Sequence, residues 1–178
     1  METLPALLVA ALYGVTMKTA DLMNEHGLRW FRYDAVLFGI LWGTFGSILA
    51  LNTSPTVTST ILAMNVAFIV RGRLDYPNHQ IAATANIFAC VMSNTILSTV
   101  FASFFLVFMT FGWVKDYVDD VLHWKGKFHT LTEMHLYYPI PTFIYCWIYG
   151  EWMLFGVFTL FILCYNCTKV IAKRYGYP

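Results

Sequence analysis

The stretch Gln80–Val114, QIAATANIFACVMSNTILSTVFASFFLVFMTFGWV, runs for about 35 residues without a charge. As a single α-helix it would be about 52 Å long, against a bilayer hydrocarbon core of roughly 30 Å. Ser93-Asn94-Thr95 lies near its middle, and such residues turn a chain by hydrogen-bonding to their own backbone. The stretch therefore reads as a helical hairpin, 80–92 and 96–114, and not as one rod.

That division sets the count of segments along the whole chain. Apolar spans at about 4–24, 35–51, 56–71, 80–92, 96–114, 136–149 and 152–170 make an all-α, polytopic helical membrane bundle of seven short transmembrane helices. They form a single integral membrane domain over 1–178; six spans result if 81–114 is one helix. Seven alternating spans put Lys18, Arg29, Arg32, Arg71, Arg73, Lys115, Lys125, Lys127, Lys169, Lys173 and Arg174 on one face. All five His and eight of the ten acids go with them, and the other face keeps only Glu2, Glu151 and three tight turns. Six spans would divide the same cations almost evenly and give no orientation. The excess of Lys and Arg then predicts a multi-pass cell-membrane protein with its N-terminus outside and its C-terminus in the cytoplasm.

Composition agrees with this reading. At 58% apolar, 12% charged and a mean hydropathy of +0.59, the chain has too few polar residues to coat a water-soluble domain, which is typically about 25% charged. Period-two alternation is missing, which argues against a β-barrel. A net charge of +1 gives no basic stripe for nucleic acid. The first apolar run lacks a basic leader and is followed by Lys18 and Asp21, so it reads as a retained helix and not as a signal peptide. Cys164 and Cys167 form a C-x-x-C without a second pair and read as small packing residues.

The turns are terse. Asn52-Thr53-Ser54-Pro55 joins hydrogen-bonding turn residues to a Pro that begins the next helix, and Tyr149-Gly150-Glu151 ends one helix on Gly. Gly39, Gly43 and Ser47 recur at i, i+4, i+8, a spacing that lets helix backbones approach closely. Packing inside the bundle is the favoured use of that stripe, with a homo-oligomer contact as its rival.

Three polar elements share the predicted cytoplasmic face. Lys18, Asp21 and Glu25 fall on one side of the first helix end, with His26 adjacent. Lys18 stands about one turn inside the apolar run. It either snorkels to the headgroups or faces the bundle interior as part of a site. Arg71-Gly72-Arg73-Leu74-Asp75-Tyr76-Pro77-Asn78-His79 packs two guanidiniums, a carboxylate and an imidazole into one short loop. Asp116, Asp119, Asp120 and His123 leave the fifth helix on one side, and His129, Glu133 and His135 follow in a polar segment. Each element alone could be a solvated helix end. Together they place carboxylate and imidazole ligands among cations, and acids do little to orient a membrane protein.

Lys18-Thr19-Ala20-Asp21 at the end of helix one, Arg73-Leu74-Asp75 with His79 after helix three, and the acidic segment beyond helix five resemble a family of small archaeal polytopic membrane proteins. Their central motif reads roughly K-I-D-x-x-x-H. The resemblance implies Lys18, Asp21, Asp75 and His79 as a set and assigns no reaction. The N-x-x-x-D-x-x-x-D pattern of intramembrane prenyltransferases and the D-x-x-D-G-x-x-A-R of CDP-alcohol phosphotransferases are absent.

Three functions fit these residues. The first is a divalent-metal-dependent enzyme acting on a lipid phosphate or prenyl diphosphate. Asp21, Glu25, His26, Asp75, Asp116, Asp119 and Asp120 would hold an ion such as Mg, while Lys18, Arg73 and His79 serve the chemistry. The second is a non-enzymatic accessory subunit whose cytoplasmic face docks a protein partner. The third is a small cation or solute transporter.

Overall fold

The computed structural model describes residues 2–123 and 136–177, the side chains of Asp119 and Asp120 excepted. Among them are seven α-helices and no strand: α1 (Thr3–Glu25), α2 (Asp34–Asn52), α3 (Pro55–Val70), α4 (Pro77–Ser93), α5 (Ser98–Asp116), α6 (Pro139–Tyr149) and α7 (Trp152–Arg174). A wider, π-type turn, Tyr117–Leu122, prolongs α5.

The charge-free stretch is broken where its polar triplet predicts. α4 stops at Ser93, Asn94 takes a left-handed conformation (φ 52°), and α5 starts at Ser98. Asn tolerates that conformation better than most residues with a side chain. Pro55, Pro77 and Pro139 each stand in the first turn of a helix, where the missing N–H forfeits no internal bond. α3 closes on Gly72 at φ 66°, with the Gly72 N–H bonded to the Ile69 carbonyl and the Arg73 N–H to that of Phe68. This cap satisfies two terminal carbonyls and turns Arg73 back toward the bundle.

Four helices, α1, α2, α5 and α7, are long and apolar enough to cross a membrane. α3 is apolar but has 16 residues, about 24 Å of helix, and α6 has 11, about 17 Å. Tyr13, Trp42, Leu49, Phe108, Phe158 and Phe161 fill the centre. Leu4, Leu8, Phe88, Met92, Leu106 and Trp147 point outward and are exposed. An apolar exterior over an apolar core is what a helix bundle in lipid presents, whereas soluble monomers keep such patches small.

α2 lies between α1 and α4, α1 packs on α7, and α3 on α5. The α2–α4 contact is made by the stripe of small residues. A Cβ at Gly39 would come within 2.8 Å of Asn78 backbone atoms, and one at Gly43 would meet the Ala82 Cα at 3.0 Å. Ser47 Oγ donates to the Ala85 carbonyl at 3.1 Å. The face carrying Gly39, Gly43 and Ser47 is thus covered by α4 of the same chain.

Candidate functional site

The C-terminal ends of α1, α3, α5 and α7 and the N-terminal end of α4 border one cavity of about 660 Å³. Four helices that end at the same place run the same way, so the charged ends of the bundle are gathered, as the alternating reading requires. Lys18, Asp21, Glu25, His26, Arg73, Asp75, His79 and Asp116 all line the cavity. Of the remaining expected site residues, the side chains of Asp119 and Asp120 lie outside the described residues, as do His129, Glu133 and His135.

Two clusters form the walls, the first buried and the second part-buried. In the first, Asp21 is bound from three directions. Tyr165 donates its hydroxyl to Oδ2 at 2.7 Å, the His79 Nε2 lies 3.1 Å from Oδ1, and the Lys18 ammonium stands 3.9 Å from Oδ2. Lys18 is 4% exposed and lies over the Tyr165 ring, 5.2 Å from its centroid. It faces the bundle interior and does not snorkel. Asn78, at the start of α4, donates to the Ala20 carbonyl on α1 at 3.2 Å and accepts from the His79 N–H at 2.9 Å. Its Cβ rests on Gly39, so the α2–α4 approach sets the height at which His79 reaches Asp21.

His79 stands at the polar head of α4, before the apolar span begins at Gln80. Burial pulls its imidazole pKa down. The Asp21 hydrogen bond and charge, with Glu25 and the Arg73 backbone behind them, outweigh that and leave it raised. The Asp21 carboxylate thus favours the protonated form of the ring.

The second cluster centres on Asp116. Arg71 reaches its Oδ2 through Nη2 at 2.6 Å and Nε at 3.1 Å, and Arg73 takes Oδ1 at 2.5 Å. Arg71 also donates to the Tyr137 hydroxyl at 2.5 Å and to the Gly112 carbonyl at 3.1 Å. Arg71 thus presents two N–H groups to a single carboxylate oxygen and works as a strut between α3 and α5.

Lys115, Lys169 and Lys173 complete the basic wall, while Glu25, beside the His26 ring at 3.8 Å, and the exposed Asp75 lie along the cavity. The lining thus has six Lys or Arg against four carboxylates. Part of that excess complements the negative ends of helices α1, α3, α5 and α7.

Chemically, the arrangement favours anions. Asp21 and Asp116 each have both oxygens engaged by donors, which makes them poor metal ligands as they stand. Among the described residues, no group of three or more His, Cys, Asp and Glu is placed to hold a metal ion. Glu25 and Asp75 remain as single carboxylates of the kind that, with phosphate oxygens and water, complete an octahedral Mg site.

Sequence reasoning missed Tyr165, Tyr137, Trp42 and Asn78. A signal existed for the first: Phe161, Tyr165, Lys169 and Lys173 recur every four residues and form one stripe of α7 facing the cavity. Trp42 carried none, because an aromatic inside an apolar run reads as packing, and Asn78 stood in the polar loop beside His79 with nothing to single out its amide.

No protein-family model matches the chain, and neither a curated protein nor a solved structure does. Function then rests on the chemistry of the site.

Proposed function

We propose that this protein crosses the membrane seven times, with the cavity on the cytoplasmic side. There it binds the phosphate or diphosphate headgroup of a membrane lipid as the first step of metal-assisted chemistry on that headgroup. The observation that carries this reading is the surplus of cations around a cavity sunk into an apolar bundle, whose two most buried carboxylates are already neutralised by cations of the protein. A free acidic vestibule would favour metal or solute cations; here the two most buried carboxylates are paired, and the excess of Lys and Arg over carboxylates in the lining makes the cavity as a whole attractive to phosphate oxygens.

Within this reading Asp21 and Asp116 position cations and do not ligate metal. Glu25 and Asp75 supply protein oxygens to a divalent ion such as Mg, which would contribute neutralisation of charge on the phosphate. His79 keeps the Asp21 carboxylate turned toward Lys18. The apolar part of the cavity lining, Met17, Phe68, Phe161 and Ile162, accommodates the first carbons of the lipid tail.

The test is a comparison of a prenyl diphosphate, its monophosphate and its parent alcohol on the purified protein in detergent, with thermal melting and phosphate release as readouts. Both phosphorylated ligands should raise the melting midpoint, the alcohol should not, and Arg73→Met should weaken the effect. Phosphate release should require Mg and stop with a chelator. Equal stabilisation by alcohol and phosphates would refute headgroup recognition. Stabilisation without release would confine the function to binding.

A further inference from the structure

Beneath the cavity the bundle contains a second polar group that the proposed chemistry does not use. Tyr13 (α1), Trp42 (α2), Asn65 (α3) and Asn86 (α4) come from four different helices, and all four side chains are at most 2% exposed. They meet around the Tyr13 hydroxyl, which accepts from Asn86 Nδ2 at 3.3 Å and has the Trp42 indole and the Asn65 amide beside it. Gly46 on α2 makes the space: a Cβ there would fall 2.2 Å from Asn86 Oδ1 and 2.8 Å from the Tyr13 ring.

The hydrogen-bond ledger of this group does not close within the protein. Trp42 Nε1 has no acceptor, and Asn65 Oδ1 and Asn86 Oδ1 have no donor. The Asn65 amide is oriented by its Nδ2 bond to the Ile61 carbonyl at 2.8 Å, so its oxygen is the orphan. For Asn86 either amide orientation leaves one polar atom over, since the other is turned to Tyr13. In the orientation present, the Tyr13 hydroxyl only accepts, and its own hydrogen is a further donor seeking a partner. Each such buried group costs roughly 1–3 kcal/mol if left unpaired. Three in one place, deep in an apolar bundle, are not explained by packing.

Their sum has a definite shape. The group holds two donors, the Trp42 indole and the Tyr13 hydroxyl, and two acceptors, the amide oxygens of Asn65 and Asn86. One water molecule accepts twice and donates twice, and buried waters typically make about three such bonds. A metal cation would satisfy the two amide oxygens and repel both donors; an anion would do the reverse. We infer that Tyr13, Trp42, Asn65 and Asn86 form an internal site for an ordered water molecule that ties α1, α2, α3 and α4 together. The site sits one side chain below the cavity: Trp42 belongs to both linings, and Phe161, another cavity residue, packs on Tyr13 at 5.0 Å between centroids. The inference is independent of what the cavity binds.

The test uses the full chain, ¹⁵N-labelled in detergent, and reads transfer from water to the six Trp indole protons by NMR. The Trp42 signal is assigned by its disappearance in Trp42→Phe, and Trp30, exposed in the loop before α2, serves as the control for bulk solvent. A water cross-peak at the Trp42 indole with the sign of a long-lived, protein-bound molecule is expected, and Asn86→Leu should abolish it. A Trp42 indole with no water cross-peak, while Trp30 shows one, overturns the site. So does a Trp42 cross-peak with the sign of freely exchanging solvent. The decisive measurement is on the unaltered protein, and where Trp42→Phe fails to fold the Trp42 signal is assigned by through-bond NMR, so a failed variant does not rescue the inference.

Discussion

Gly112 offers a test in which two effects of opposite sign compete. In a helix interior Gly→Ala ordinarily stabilises by about 0.5–1 kcal/mol, because Gly gives up more backbone freedom on folding. At Gly112 the added Cβ would fall 2.2 Å from Arg71 Nη1, 2.3 Å from Cζ and 2.6 Å from Nε. The guanidinium is the far end of a flexible chain, so the clash itself is relieved by rotation. Rotation forfeits the bonds to Asp116, Tyr137 and the Gly112 carbonyl. Removing a partner from a fully buried pair costs about 3–5 kcal/mol; this pair is part-buried and Arg73 still holds the other Asp116 oxygen, so a loss of no more than about 3 kcal/mol applies. Subtracting the helix gain leaves a net loss of about 2 kcal/mol, or roughly 4–8 °C in melting midpoint for a chain of this size. Thermal unfolding of the detergent-solubilised protein reads it. In an Arg71→Met background nothing remains to displace, and Gly112→Ala should then be neutral or stabilising. If the substitution raises the midpoint in the unaltered protein, or acts identically in both backgrounds, Arg71 does not lie against α5 as described.

Gly14→Ala should be worse, since its Cβ would meet the Phe161 carbonyl oxygen at 2.2 Å, backbone that cannot rotate away. A loss of about 1–3 kcal/mol is expected by melting, and an unchanged midpoint would show α1 and α7 to be further apart. His79 gives a pH signature. Its folded pKa is raised, so the stability of the His79–Asp21 pair is fully present below the unfolded value of about 6.5 and is lost as pH rises through the folded one. The melting difference between the unaltered protein and His79→Gln should accordingly shrink on going from acid to alkaline pH. A difference that grows instead would mean the ring is buried neutral. Single Cys residues at Ser54, Asn94 and Gly150 should be labelled only from the side opposite the C-terminus. Labelling of Asn94 from the C-terminal side would return 80–114 to a single crossing.

The hairpin and the gathering of charges were legible in the sequence for a simple reason: both follow from length and polarity along the chain. An uncharged run too long for one crossing must turn, and Ser93-Asn94-Thr95 offered the place. The membership of Lys18, Asp21, Glu25, His26, Arg73, Asp75, His79 and Asp116 in one cavity lining followed from helix direction alone. Their partners did not. Whether Asp116 faces an ion or two guanidiniums depends on the α3–α5 approach, which Gly112 sets through the space it leaves for Arg71. Asp75, with the strongest local pattern, turned out exposed, whereas Tyr165, from the far end of the chain, supplies the shortest bond to Asp21. Long-range pairs such as Asp21–Tyr165 leave no periodic trace in one sequence.

The turns at the end of the bundle away from the cavity have a consequence for how the chain enters a bilayer. Between α2 and α3 only Thr53 and Ser54 intervene, between α4 and α5 only residues 94–97, and between α6 and α7 only Gly150 and Glu151. On the proposed topology, with the cavity on the cytoplasmic side, these turns are the loops carried through hydrocarbon, with Glu151 the single charge among them. Each pair of helices can therefore enter as a closed hairpin with its hydrophilic tip nearly empty. On that topology a reporter or epitope spliced into any of these three tips would add a burden the turns lack, whereas one placed at the charged end would not have to cross.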